Sequence, residues 1–437
     1  MAEDSINQEE PLYIENGKDI KGYTVKQKID EGNFGQVFQV TKNAKTYAMK
    51  VEPNRSSGAA SAIKVEIETL TELQTRNVKF VTGITEGGRT VKLHYLVMDL
   101  LGDNLKTLRS KSPNPNNATP STWSRVGIQC LYVLKTIHDC GYVHRDLKPA
   151  NYAMGPAETV NSRVLHMLDF GISRKFVKLP DGAQTNTVTR EFRLARKRTK
   201  GFKGTPVYAS PNAHDHMDLG RVDDLWSLMY MVAEMAQELP WGGLENEDLV
   251  KAKKAAKLKK LFKVEKATEK DKKDKKKEQL WDKSLTETFE AIERMLRKNN
   301  FYSFPDYEMI YKAFKTVFDR CGASWLDPFD WETDAFPPYV RWKALALART
   351  SQFPWEVNTV TVFFRNDPWN YLQKDIFAPS KELATEDKTK SKKKKMLDGE
   401  TMTAEAMTCD EAKTPTPMKT AKKPVQLAMP KRGKDAK

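Results

Sequence analysis

The sequence predicts an α+β fold in which a small antiparallel β-sheet with one helix precedes a larger, mainly α-helical part. Three observations carry that expectation. Apolar residues alternate from Gly22 to Lys50, they fall at helical spacing over 61–74, and helical spacing dominates the chain beyond residue 126. In the first stretch Tyr23 and Val25, then Val37, Phe38 and Val40, then Tyr47 and Met49 read as successive strands between glycines and polar turns. Ile63, Ile67, Leu70 and Leu73 give a helix one apolar face, and strand-like runs follow at 78–84 and 91–98. A Pro/Asn-rich stretch at 113–120 interrupts the pattern. Beyond it, apolar positions 126, 128, 131, 133, 134 and 137 fit a buried helix, and further helices are expected at 222–238, 285–297 and 307–320. No internal repeat occurs, which excludes solenoids and propellers.

With 39% apolar and 10% aromatic residues in a chain of 437, there is material for a sizeable core, and a wholly disordered chain is excluded. The net charge of +15 is local: residues 251–279 hold fourteen Lys/Arg against five acids, and residues 380–437 hold fifteen against nine. These two segments supply the whole excess. The first has a single aromatic, Phe262, and reads as a solvated loop or exposed helix. The second has no Phe, Trp or Tyr and cannot offset its ordering entropy, so a disordered basic tail is expected. Trp342, Trp355 and Trp369 instead mark 333–379 as a stretch that packs on the body. Four scattered cysteines argue against a disulfide framework, and His94, His138, His166, His214 and His216 lack partners at metal spacing, so no zinc site is expected. The first fifteen residues are polar, and no run of about 18 apolar residues occurs. A cytoplasmic location is expected, with the nucleus open to the chain as well.

Chemistry enters at Ile29–Val37, I-D-E-G-N-F-G-Q-V, a glycine-containing turn between two strands. Gly32 and Gly35 suit a backbone that closes over phosphates, whereas Asp30 stands where such a loop has its first glycine. Next comes a strand-borne lysine, Tyr47-Ala48-Met49-Lys50, and a helix carrying Glu66, with Glu68 as runner-up for holding that lysine. The strongest signal is His144-Arg145-Asp146-Leu147-Lys148-Pro149-Ala150-Asn151, followed by Asp169-Phe170-Gly171. Asp146 can accept the proton of an attacking hydroxyl, Asn151 and Asp169 offer the hard oxygens that Mg²⁺ prefers, and Lys148 can neutralise a transferring phosphoryl group. A lysine at that place favours Ser/Thr over Tyr as acceptor.

These motifs resemble those of the protein kinase superfamily. Gly204-Thr205-Pro206-Val207-Tyr208-Ala209-Ser210-Pro211-Asn212-Ala213-His214 is similar to the signature of its casein kinase I group. Asp223-Asp224-Leu225-Trp226-Ser227-Leu228 and residues 327–332 look closest to the tau-tubulin kinase branch and its nematode-expanded relatives. The resemblance implies a bilobal kinase fold over 20–332, with an N-lobe at 20–100, a C-lobe at 101–332 carrying the lysine-rich insert 251–279, and an N-terminal extension at 1–19. It implies ATP and Mg²⁺ between the lobes, under Ile29, Val37 and Ala48, over Ala153, beside Met98 and against the backbone of Asp99 and Leu101. It also implies that Asp224 braces the catalytic loop and that Thr205 lies near Asp146; Arg145 could pair with a phosphate on the activation segment, although relatives in this group often need no such event. Casein kinase I relatives favour acidic or phosphorylated substrates, which Lys197 and Lys200 would read. The expectation is therefore a Ser/Thr protein kinase acting on acidic or primed proteins, cytoskeletal ones among them, with nucleic acid not expected as a partner. The alternative is a feebly active scaffold that binds acidic polymers such as tubulin tails through its lysine segments.

Overall fold

The computed structural model describes residues 13–32, 35–54, 61–178, 191–262, 281–332, 337–349 and 351–369, all within the unit Met1–Phe377. The tail 380–437 and most of the N-terminal extension lie outside the described residues. Strands β1 (Asp19–Ile20), β2 (Tyr23–Gly32), β3 (Gly35–Lys42), β4 (Lys45–Pro53), β5 (Ile84–Arg89) and β6 (Leu93–Asp99) form one antiparallel sheet in the order β1-β2-β3-β4-β6-β5. Side chains alternate between its faces. Val25, Phe38, Val40, Met49, Val51, Tyr95 and Val97 build a small core on one side. Ala48, Leu96 and Met98 face the other and join the main core with helix α1, Ala62–Thr75. Lys50 shares the parity of Ala48, so the sheet aims it at the same side. Ser61 caps α1 by accepting from the Lys64 amide at 3.4 Å, and the buried Glu52 adds an acceptor for the Ile63 amide at 3.2 Å.

The strand expected at 78–84 is not formed. Phe80 sits in the left-handed region (φ 63°), and only the end of the segment joins the sheet, where Gly83 O accepts from Asp99 N and Ile84 begins β5. Met167 N donates to Phe80 O at 2.9 Å and Thr82 N to Met167 O at 3.1 Å, so the run ties the sheet's lobe to the helical one.

The larger part comprises α2 (Leu105–Lys111), α3 (Pro120–Asp139), α4 (Pro211–His214), α5 (Arg221–Ala236), α6 (Asn246–Ala255), α7 (Leu258–Leu261), α8 (Lys283–Lys298) and α9 (Tyr307–Arg320). Helix α3 starts before the expected apolar run because Thr119 caps it and Pro120 occupies its first turn. Short antiparallel pairs position the loops: β7 (Tyr142–Val143) with β10 (Arg174–Lys175), β8 (Tyr152–Met154) with β9 (Leu165–Met167), and β11 (Val177–Lys178) with β12 (Glu191–Phe192). Residues 337–369 add α10 (Pro337–Ala348) and α11 (Val360–Arg365) and bury Trp342, Trp355 and Trp369.

The lysine segment is not wholly solvated. Its beginning forms the end of α6 and then α7, with Lys253, Leu258, Leu261 and Phe262 buried; 263–280 lie outside the described residues. Periodicity within the charge run explains this. Leu258, Leu261 and Phe262 fall on one helical face, and Phe262 stacks on Phe289 at 4.5 Å.

Candidate active site

Lys50, in the middle of β4, is almost completely buried and reaches two carboxylates. Its Nζ lies 2.7 Å from Glu66 Oε2 and 2.7 Å from Asp169 Oδ1. Burial presses the ammonium toward neutrality, but Glu66 and Asp169 more than offset it, and the lysine's pKa stands well above its usual range. The same attraction outweighs burial at Asp169 and holds it ionised, below the usual carboxylate range. Glu66 also accepts from the Phe170 amide at 3.1 Å, which links α1 to the segment carrying Asp169. Glu68 is exposed, on a different face of α1, so the helix itself decides between the two glutamates.

Asp146 stands in the loop after β7. Its Oδ2 accepts from Lys148 Nζ at 2.9 Å and its Oδ1 from Thr205 Oγ1 at 2.7 Å. Asn151 donates through Nδ2 to Asp146 O at 2.8 Å, which leaves its carbonyl oxygen as the group available to a cation. Arg145 and Asp169 both occupy the left-handed region, at φ 72° and 61°. The first is held by Asp224, buried at the start of α5. Its Oδ2 accepts from His144 N at 2.7 Å, its Oδ1 accepts from Arg145 N at 2.8 Å, and His138 Nε2 lies 3.0 Å from Oδ2. Gly204 has φ +95°, and a Cβ there would lie 2.7 Å from Arg145 O, so this turn requires glycine.

Ala48 and Met98 are register partners on β4 and β6, and Val37, opposite Lys50, packs against the same core. Asp99 N donates to Gly83 O at 3.0 Å and Gly102 N to Met154 O at 2.8 Å, fixing the backbone on both sides of Leu101. Ala153 lies in β8, and Ile29 is exposed on β2. Gly35, at φ +131°, could not carry a Cβ, which would meet Val51 O at 2.0 Å, whereas Gly32 has open space around it. Asp30 turns its carboxylate onto its own chain, where Oδ1 accepts from Glu31 N at 2.8 Å.

The structure thus brings Lys50, Glu66, Asp169, Asn151, Lys148, Thr205 and Asp146 together. It leaves Lys197 and Lys200 exposed on the loop after β12, and no hydrogen bond or ion pair joins them to Asp146 among the described residues. The half-buried Arg145 donates through Nε to Ile172 O at 2.7 Å.

Two groups escape sequence reasoning. Asp218 collects three arginines of the activation segment, Arg193 at 2.6 Å, Arg196 at 3.0 Å and Arg174 at 3.7 Å. Glu72 on α1 accepts from Tyr142 Oη at 2.5 Å and Lys175 Nζ at 2.6 Å, and pairs with Arg76. A signal for the second existed: 66, 69, 72 and 76 form one face of α1, and Thr69 Oγ1 also meets Ser173 Oγ at 3.0 Å.

No group of three or more His, Cys, Asp or Glu side chains suited to a metal ion occurs among the described residues. Asn151 and Asp169 offer a pair of protein oxygens, a donor set that would suit a Mg²⁺ completed by phosphate and water. A sheet-borne lysine held by a helix carboxylate, beside an Asp/Asn loop and a second Asp, defines a phosphoryl-transfer site.

The protein kinase domain model matches residues 23–302, and the chain belongs to that family. Its relatives place it on the serine/threonine side. It is 35% identical over 317 residues to a putative serine/threonine-protein kinase of Caenorhabditis elegans, covering 72% of this chain and 83% of that protein. A probable serine/threonine-protein kinase of Dictyostelium discoideum is 33% identical over 72% of this chain and 58% of its own length. An inactive tau-tubulin kinase of Caenorhabditis elegans is 32% identical over 56% of this chain and 78% of that protein.

Proposed function

We propose that this chain is an active Ser/Thr protein kinase that moves the γ-phosphoryl group of ATP to a protein hydroxyl. The observation that carries the reading is the convergence of Lys50, Glu66 and Asp169 from a strand, a helix and a distant loop, with both contacts at 2.7 Å. Lys50 presents a fixed charge to the nucleotide phosphates, and Glu66 keeps it from swinging away. Asn151 and Asp169 would hold Mg²⁺, which would supply charge neutralisation on the phosphate oxygens. Asp146 orients the acceptor hydroxyl and takes its proton. Thr205 and Lys148 fix the aspartate's two oxygens, and Lys148 also lies where it can meet the transferred group.

Acidic or phosphate-primed proteins are the substrate class this reading favours, because Lys197, Arg198, Lys200 and Lys203 stand on one short segment just before Gly204. Likeness to a protein named as a tau-tubulin kinase makes cytoskeletal proteins the first to try. The test is an array of plain and pre-phosphorylated Ser/Thr peptides. Wild type should prefer the primed or acidic members, and a Lys197→Glu/Lys200→Glu variant should lose that preference while retaining turnover of plain peptides. Unchanged preference in the variant removes the substrate reading. Absence of transfer to any peptide, with salt-sensitive binding to an acidic polymer, favours the scaffold alternative.

A further inference from the structure

Lys253 is fully buried although it lies in the most basic stretch of the sequence. Among the described residues it has no acidic partner. Its Nζ donates instead to two backbone carbonyls of one short segment, Pro206 O at 2.5 Å and Ala209 O at 2.8 Å. The rings of Tyr230 and Trp241 enclose it at 5.0 Å and 5.6 Å, and Trp241 Nε1 donates to the carbonyl between, Val207 O, at 3.0 Å. Other groups of that segment are also engaged. Tyr208 Oη donates to Glu234 at 2.7 Å, and the amides of Tyr208 and Ala209 donate to Thr205 O at 3.0 Å and 2.9 Å.

A buried lysine without a carboxylate is costly, and burial pulls its pKa down to about 7. An apolar side chain of similar length would avoid that cost and pack against the same two rings. It would leave Pro206 O and Ala209 O without donors. What lysine supplies here, and leucine or methionine cannot, is a donor at the end of a long arm that closes 206 and 209 over α6. At the other end of this segment Thr205 holds Asp146 Oδ1.

We propose that Lys253 is a positioning residue for phosphoryl transfer: it clamps Pro206–Ala209 to α6, and through Thr205 sets the orientation of Asp146. The inference rests on the proposed kinase activity, and the clamp acts on the geometry of the base rather than on nucleotide binding.

The test compares wild type, Lys253→Met, Lys253→Arg and Trp241→Phe in the full chain, with exposed Lys260→Met as control and Asp146→Asn as the inactive reference. Lys253→Met should unfold at the same or a higher temperature than wild type, keep its KM for ATP and lose about a hundredfold in kcat, the scale of a 1 Å misplacement. Lys253→Arg, which keeps N–H donors, should recover part of kcat. Trp241→Phe, which deletes the Val207 bond, should lower kcat in the same direction, and Lys260→Met should match wild type. A folded Lys253→Met with wild-type kcat overturns the proposal, as does a parallel loss of thermal stability, ATP affinity and kcat, which would mark a merely structural lysine. If Lys253→Met fails to fold, Trp241→Phe decides: wild-type kcat in it refutes the clamp. Inactivity of wild type itself would instead sink the kinase reading.

Discussion

Replacing Asp224 with Asn keeps the side chain's shape and removes its charge. In the native protein both oxygens are engaged: His144 N at 2.7 Å and His138 at 3.0 Å on one, Arg145 N at 2.8 Å on the other. Asparagine retains one acceptor and turns the second position into an NH₂ that opposes a backbone N–H. One bond to a charged group, worth about 1.5–3 kcal/mol, is lost and the other becomes neutral, so unfolding free energy should fall by about 3 kcal/mol. Those bonds hold Arg145 in its left-handed conformation, whose intrinsic cost is about 1–3 kcal/mol. With the restraint gone, Arg145 relaxes and carries Asp146 with it. A displacement near 1 Å predicts a loss of about a hundredfold in kcat. Urea unfolding followed by intrinsic fluorescence, which the nine tryptophans permit, gives the first number, and phosphate incorporation into a Ser peptide gives the second. A folded variant within about 0.5 kcal/mol of wild type, with undiminished kcat, would refute the argument that Asp224 braces the loop.

Further outcomes follow from other contacts. Burial works against ionised Asp218, but hydrogen bonds from Arg193 and Arg196 outweigh it and hold its carboxyl well below the usual range. Its stabilisation is therefore present above the ordinary carboxylate pKa of about 3.9 and is lost as pH falls toward the folded value. Asp218→Asn should be less stable than wild type at neutral pH, with the gap closing in strong acid; a pH-independent gap would contradict this. Gly204→Ala places a Cβ 2.7 Å from Arg145 O at φ +95° and should cost about 1–3 kcal/mol and most of the activity, readable by thermal melt and kinase assay. Trp355, packed on Phe80 at 5.0 Å and Phe353 at 5.3 Å, should cost about 3–5 kcal/mol on replacement by Ala, and a surface-like effect in a denaturant melt would argue against its packing role.

How much of this was legible in the sequence depends on how far apart the interacting residues are. Asp146, Lys148 and Asn151 lie within six positions, so their spacing alone announces them, and the order of strands and helices follows from periods of two and 3.6. Choosing Glu66 over Glu68 needed the side chain direction on α1. The strand expected at 78–84 failed because its backbone bonds go to Met167, a partner no local pattern reveals. Asp218 was hidden among unremarkable loop residues because its three arginines arrive from 22 to 44 positions away. Lys253 was hidden by its neighbours: a charge run is ordinarily solvated, and only the placement of α6 under Pro206 and Ala209 makes this lysine an exception.

The most direct test of the central claim is to measure MgATP binding by calorimetry and γ-phosphate transfer to a Ser peptide on wild type and Asp146→Asn side by side. Both should bind MgATP with similar affinity, and only wild type should transfer phosphate. Failure of well-folded wild type to bind MgATP, or equal transfer by the variant, would contradict it.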